Sequence, residues 1–142
     1  MTTSKGTEDR STVVENLVRD SDNSSFARLM DLKIVKAKQA YCLARLKISP
    51  EKHLNFHGIT HGAVLFAVAD HACGVCGNSL GRKAVLVNSN INLLANPNPG
   101  MIVEAEAQMT HADEKKGILN IEVTDNEGKV YARCQSTVVF ID

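Results

Sequence analysis

The sequence predicts an α+β domain in which one antiparallel sheet wraps around one long central helix. Three observations lead there. Residues 61–79, HGAVLFAVADHACGVCGNS, are nearly all small or apolar, and an apolar character on every side of a helix calls for burial on every side. From residue 84 onward, four alternating stretches are separated by the turn sequences NPNPG, DEKKG and DNEG, and hairpin connections make neighbouring strands antiparallel. One further alternating stretch precedes the helix.

The chain of 142 residues suits a single domain with a sizeable core. That domain is drawn as 11–142, behind a polar tail at 1–10 expected to be flexible. Ser11 can cap an amphipathic helix over 11–18, with Val13, Val14, Leu17 and Val18 as its apolar stripe. The cluster DSDNSS at 20–25 is a turn, and Ser25 leads a short helical turn bearing Phe26, Leu29 and Met30. Residues 32–48 alternate as one long strand, bent or broken near Lys38 and Gln39 and ended by Ser49-Pro50-Glu51. After the central helix, Gly81 serves as a stop. Strands then follow at 84–94, 101–111, 118–124 and 129–141, the first with Asn88, Asn90 and Asn92 on one face.

Composition excludes several classes. Sixteen Lys plus Arg balance sixteen Asp plus Glu, so the net charge is zero, which argues against nucleic acid or an anionic membrane surface as a partner. No apolar run reaches transmembrane length, and the N-terminus has no apolar signal core. Four cysteines (42, 73, 76 and 134) without any secretory feature read as reduced, buried thiols. The cytoplasm is the expected location.

The chemistry gathers at residues 54–79. Thr60 is the expected N-cap, placing His61, Gly62 and Ala63 in a first helical turn whose N–H groups lack intrahelical partners. With the helix dipole behind them, they suit a carbonyl oxygen that gains negative charge during acyl transfer. Gly62, without a side chain, lets a substrate approach its backbone. Asn55 can orient a water or the carbonyl. Asp70, level with Phe66 and Cys73, is poorly solvated, which raises its basicity; it can serve as general base or as nucleophile. Gly62 and Asp70 are about 12 Å apart at a rise of roughly 1.5 Å per residue, too far to act on one carbonyl. A two-fold dimer that brings Gly62 of one helix near Asp70 of the other solves this.

Other side chains invite other chemistry. His57 and His61, with His53 and His71 nearby, suggest zinc, but neither HExxH nor a paired Cys/His framework is present, and no metal or cofactor is expected. His61 is read as a brace for the loop. Cys73-x-x-Cys76 lacks the preceding strand of a redox motif and reads as packing. Arg82-Lys83 and Lys115-Lys116 are exposed turn charges by default.

At Asn55, His61-Gly62-Ala63 and Asp70 the sequence resembles the hotdog-fold acyl-CoA thioesterases of the PaaI (phenylacetate degradation) type. That family opens its helix with His-Gly-Gly, has an Asp at fixed spacing and an Asn upstream, and ends the helix with Asn-Ser, as Asn78-Ser79 do here. Ala63 replaces the second glycine, while the glycine assigned to the oxyanion contact matches Gly62. The resemblance covers roughly 26–141. It implies a hotdog fold, hydrolysis of an acyl-CoA thioester to CoA and a free acid, and a homodimer with shared active sites. In that dimer Asn55 and Gly62 come from one subunit and Asp70 from the other. It further implies a dimer of dimers, and a polar residue on the following strand, Asn88 or Ser89, that positions the attacking water. His61 and Ala63 would flank the substrate, and Arg82, Lys83 and Lys116 are the candidates for meeting the phosphates of CoA. Two alternatives stay open: an enoyl-CoA hydratase or dehydratase on the same fold, and a non-catalytic acyl-CoA binder in which Ala63 marks lost activity.

Overall fold

A computed structural model describes residues 9–142. Of the tail drawn at 1–10, residues 1–8 lie outside the described residues, whereas Asp9 and Arg10 begin the first helix, α1 (Arg10–Asp22). Asp9 caps it in place of Ser11, accepting from the Ser11 N–H at 3.3 Å and its hydroxyl at 2.8 Å. A carboxylate at the positive end of a helix dipole is a stronger cap than a hydroxyl one turn further in. The helix also outlasts its predicted end at 18, because Asp22 is held by tertiary bonds: its Oδ1 accepts from the Ile34 N–H at 3.0 Å and meets His71. A second short helix, α2 (Ser25–Met30), is capped by Ser24 and closed by Asp31 at φ 62°.

The stretch read as one bent strand is a hairpin. Strand β1 (Lys33–Lys38) reverses through Gln39-Ala40 into β2 (Tyr41–Lys47), with Lys38 opposite Tyr41. Ala40 takes a positive φ of 63°, a conformation glycine or asparagine normally fills. Long-range bonds hold it there: the Ala40 N–H donates to Ser79 Oγ at 2.8 Å and its carbonyl accepts from the Met109 N–H at 3.1 Å.

The long helix α3 (Gly62–Asn78) follows, then β3 (Ala84–Leu93), β4 (Ile102–Ala112), β5 (Lys116–Thr124) and β6 (Val130–Phe140). All pairings are antiparallel, and the six strands lie in the order β1-β2-β4-β5-β6-β3. Thus α3 carries the chain from an inner strand to the far edge of the sheet and packs across one sheet face on the way. Val64, Leu65, Val68 and Val75 of the helix meet Leu46, Val103, Leu119 and Val123 of the strands in one core cluster. Each such side chain contributes about 1.5–3 kcal/mol on burial.

Two features of this architecture position the site. First, α3 is not covered on every side by its own chain. Ala63, Phe66, Asp70, Gly74 and Asn78 form a stripe at helical spacing that stays exposed or half-buried, while the residues between them, His71 excepted, are buried. Second, β3 pairs with β6 on one side only, and Val85 and Val87 on this edge strand are 43% and 56% exposed. A long edge with apolar side chains is a template for pairing.

Candidate active site

The loop between β2 and α3 is fixed before the helix begins. His53 is buried, its Nε2 3.0 Å from the Met30 carbonyl and its Nδ1 accepting from the Ser49 N–H at 2.8 Å. Its own carbonyl accepts the His61 N–H at 2.8 Å. Between them, Asn55 Oδ1 accepts from the N–H groups of His57 (3.0 Å) and Ile59 (3.1 Å), so the side chain closes the 55–59 loop around Gly58 at φ 74°. The Asn55 Nδ2 amide has no partner among the described residues and remains available as a donor.

His61, not Thr60, caps α3: its Nδ1 accepts the Ala63 N–H at 3.0 Å. Thr60 is occupied elsewhere. Its buried hydroxyl donates to the Pro97 carbonyl at 2.6 Å, and its carbonyl accepts from Asn96 Nδ2 at 2.9 Å. The turn after β3 therefore pins the start of the helix, a role for Asn96 and Pro97 that local sequence could not signal. Thr60→Val keeps the shape and deletes the bond to Pro97, leaving its carbonyl unsatisfied; a loss of about 1–3 kcal/mol in urea unfolding is expected.

The altered cap changes the count of free donors. Of the three N–H groups expected to be unpaired, that of His61 goes to His53 and that of Ala63 to the His61 ring; only the Gly62 N–H lacks a partner among the described residues. A Cβ at Gly62 would fall 2.7 Å from Leu93 Cδ1, so the glycine lets the end of β3 close up to the helix start.

Asp70 lies two turns along the open stripe. No hydrogen bond or ion pair to its carboxylate occurs among the described residues, so no structural salt bridge holds it there. Burial raises its pKa above the ordinary aspartate value, and the neighbouring His71 pulls weakly the other way. An unpaired, half-buried carboxylate is destabilising unless another group or a substrate meets it.

The remaining candidates divide. Asn88 pairs across with Thr137 and Ser89 with Ser136, and Ser136 is buried beneath α3. Directly opposite residues share a face, so Ser89 lies on the helix side of the sheet and Asn88 on the far side. The Ser89 hydroxyl meets Ser136 Oγ at 2.9 Å and Cys134 Sγ at 3.1 Å. Arg82 is committed inside the chain: Nη1 donates to the Asp113 carbonyl (3.2 Å), Nη2 to the Glu114 carbonyl (2.8 Å) and Nε to Asp142 (3.4 Å), over the Phe140 ring. These bonds draw the 82–83 and 115–116 turns to one end of the sheet. Lys83 and Lys116 carry no salt bridge among the described residues. All four cysteines are free and buried, and burial pushes the Cys73 and Cys76 thiols up to about 12. No cluster of three or more His, Cys, Asp or Glu with metal-binding geometry occurs among the described residues. No described helix is long and apolar enough to cross a membrane.

A helix start with one free N–H, an unpaired carboxylate on the same helix and a six-stranded antiparallel sheet across it define a recognisable class. The chain belongs to the thioesterase superfamily, whose family model matches residues 57–132. It has the hotdog fold and is an enzyme of the thioesterase type. The acyl-coenzyme A thioesterase PaaI of Escherichia coli K12 is 27% identical over 111 residues, covering 78% of this chain and 79% of that protein. The solved structure of E. coli PaaI, from the phenylacetic acid degradation operon, superposes with a TM-score of 0.87 at 24% identity, covering 94% of this chain and 97% of that one. A Streptococcus pneumoniae thioesterase solved with coenzyme A superposes with a TM-score of 0.79 at 21% identity, covering 87% and 96%.

Proposed function

We propose that this protein hydrolyses acyl-CoA thioesters to CoA and the free acid, in a homodimer with two shared sites. In each site Asn55 and Gly62 come from one subunit and Asp70 from its partner. One observation carries this reading: a free N–H at Gly62 and an unpaired carboxylate at Asp70, both judged among the described residues, sit on one helix, about 12 Å apart at the usual rise per residue. Neither can complete the other's work within one chain. The open stripe of α3 and the unpaired apolar edge of β3 are the surfaces that a two-fold partner would cover. Two such dimers make the tetramer, and the enzyme works in the cytoplasm without a cofactor.

In this site the Gly62 N–H and the helix dipole polarise the thioester carbonyl and stabilise the oxyanion. The Asn55 amide holds the carbonyl or the water. Asp70 either removes a proton from the attacking water or attacks the carbonyl carbon itself, forming an acyl-aspartyl anhydride that water then opens. On both routes the C–S bond breaks, CoA departs as thiolate and takes up a proton, and one water is consumed. Ser89 supports the water from the helix side of the sheet. Phe66 on the stripe and Leu93 beside Gly62 offer apolar surface, which suits an aryl or medium-chain acyl group. Lys83 and Lys116 meet the CoA phosphates at the basic end of the sheet. The double variant K83A/K116A is expected to raise KM for acyl-CoA about fivefold with kcat unchanged, as loss of uniform phosphate binding requires; a steady-state comparison at two salt concentrations checks it.

The deciding experiment is a panel of benzoyl-, phenylacetyl-, hexanoyl- and crotonyl-CoA with a thiol reagent. Thiol release with wild-type protein supports hydrolysis. Hydration of crotonyl-CoA without thiol release identifies a hydratase instead, and CoA binding in calorimetry without turnover identifies a binder.

A further inference from the structure

His71 follows Asp70 in the chain, yet it faces inward and is tied to a different helix. Its side chain is 7% exposed and its Nε2 lies 3.0 Å from Asp22 Oδ1, at the last residue of α1. Its Nδ1 lies 3.5 Å from the hydroxyl of Ser21. The Asp22 carboxylate also accepts the Ile34 N–H at 3.0 and 3.3 Å, which fixes it to the start of β1. One imidazole thus joins α1, α3 and β1 at the residue beside Asp70.

We propose that His71 is a positioning residue for the hydrolytic reaction: clasped by Asp22 and Ser21, it sets the rotation of α3 that presents Asp70 on the open stripe. This rests on the reading of Asp70 as the group that acts on the thioester. The geometry gives the reason. About 100° separates successive side chains on a helix, so a ring locked on the inner side at 71 leaves the side chain at 70 little freedom to turn inward. A misplacement of about 1 Å at a reacting group can cost a hundredfold in rate. N-terminal helix α1 then becomes a support of the site although it contributes no reacting atom.

The charged and titratable groups around the clasp are few. Asp22 comes from α1 and Asp70 from α3 itself. The Cys42 thiol of β2 senses Asp22, and burial pushes it upward and keeps it neutral. From β1 the clasp receives a backbone N–H.

The test uses phenylacetyl-CoA hydrolysis by full-length protein. H71Q can keep a donor for Asp22 and a polar partner for Ser21. It is expected to retain kcat within about threefold, the conservative side chain rescuing the clasp. H71A breaks the clasp and is expected to lower kcat about tenfold with KM within twofold. D22N keeps an acceptor for the Ile34 N–H and loses the charge facing the imidazole; it is expected to lie between them. Should H71A lower only the melting temperature, leaving kcat at the wild-type value, or H71Q fall as far in kcat as H71A, the clasp does not position Asp70 and the proposal is overturned. If wild-type protein releases no thiol, or D70N hydrolyses normally, the reading of Asp70 fails and this inference falls with it.

Discussion

Asp70→Asn is expected to reduce kcat about a thousandfold while leaving the fold and its stability intact or slightly improved. The rate loss follows because general-base or nucleophilic action contributes roughly 10²–10⁴-fold, and an amide supplies neither. The stability result is the more diagnostic half. A carboxylate that a salt bridge holds in place becomes costly to remove, but Asp70 has no such partner and burial disfavours its charge. The pH dependence has the matching sign. The folded-state pKa is raised, so the native chain holds a proton at Asp70 that the unfolded chain has already released. In the window between the ordinary aspartate pKa near 4 and the raised one, the wild-type protein therefore loses stability as pH increases. Above that window the penalty is complete, and D70N, always neutral, escapes it. Thermal unfolding of both proteins at pH 4 and pH 8 checks this: the difference should favour the variant at pH 8. A variant with wild-type turnover, or one strongly destabilised at pH 8, removes Asp70 from the proposed role.

Asp70 stood out in the chain because a lone carboxylate in an apolar helix has few explanations, but the open stripe that carries it did not, since the helix reads as apolar on every side. The strands after α3 were equally plain, since alternation and turn residues such as Asn98-Pro99-Gly100 and Asp125–Gly128 agree about where each one stops. The β1–β2 hairpin was hidden for a physical reason. Gln39-Ala40 carries no turn signature, and the positive φ of Ala40 is stabilised by Ser79 and Met109, far away in sequence. Long-range bonds likewise displaced the cap of α3. Thr60 has better intrinsic capping chemistry than histidine, yet Pro97, 37 residues away, takes its hydroxyl. The same limit hid the clasp of His71, whose partner Asp22 is 49 residues away. Arg82 looked like a free surface cation because nothing local shows that the 113–114 carbonyls approach it. Residue chemistry pointed to acyl transfer and to a shared site; the thioester itself came from the resemblance, and the family match bears that out.

Gly62→Pro is expected to reduce kcat by about a hundredfold or more without dissolving the helix, and it isolates the free N–H. Proline at the first helical position is tolerated because its missing donor would have no intrahelical partner. The preceding residue must avoid the α region, and His61, at φ −66° and ψ 132°, already does. Within the described chain the substitution therefore deletes one hydrogen-bond donor that no protein group uses. If that donor faces the thioester oxygen, the loss should match removal of an oxyanion contact, roughly 10²–10³ in kcat. The ring also brings a Cβ toward Leu93, so four companions are needed, one of them G62P/L93A. L93A alone reports the cost of trimming the neighbour. G62A restores the N–H while keeping the Cβ that meets Leu93 Cδ1, and G62A/L93A relieves that contact. The ordering expected is near-wild-type kcat for L93A and G62A/L93A, at most about a tenfold loss for G62A, and the large loss confined to G62P and G62P/L93A. Circular dichroism should show helix retained in all five. If G62A/L93A falls as far as G62P/L93A, side-chain bulk at this position matters and the backbone donor does not, and the polarising role passes from Gly62 to the Asn55 amide, the other donor at this end of the helix.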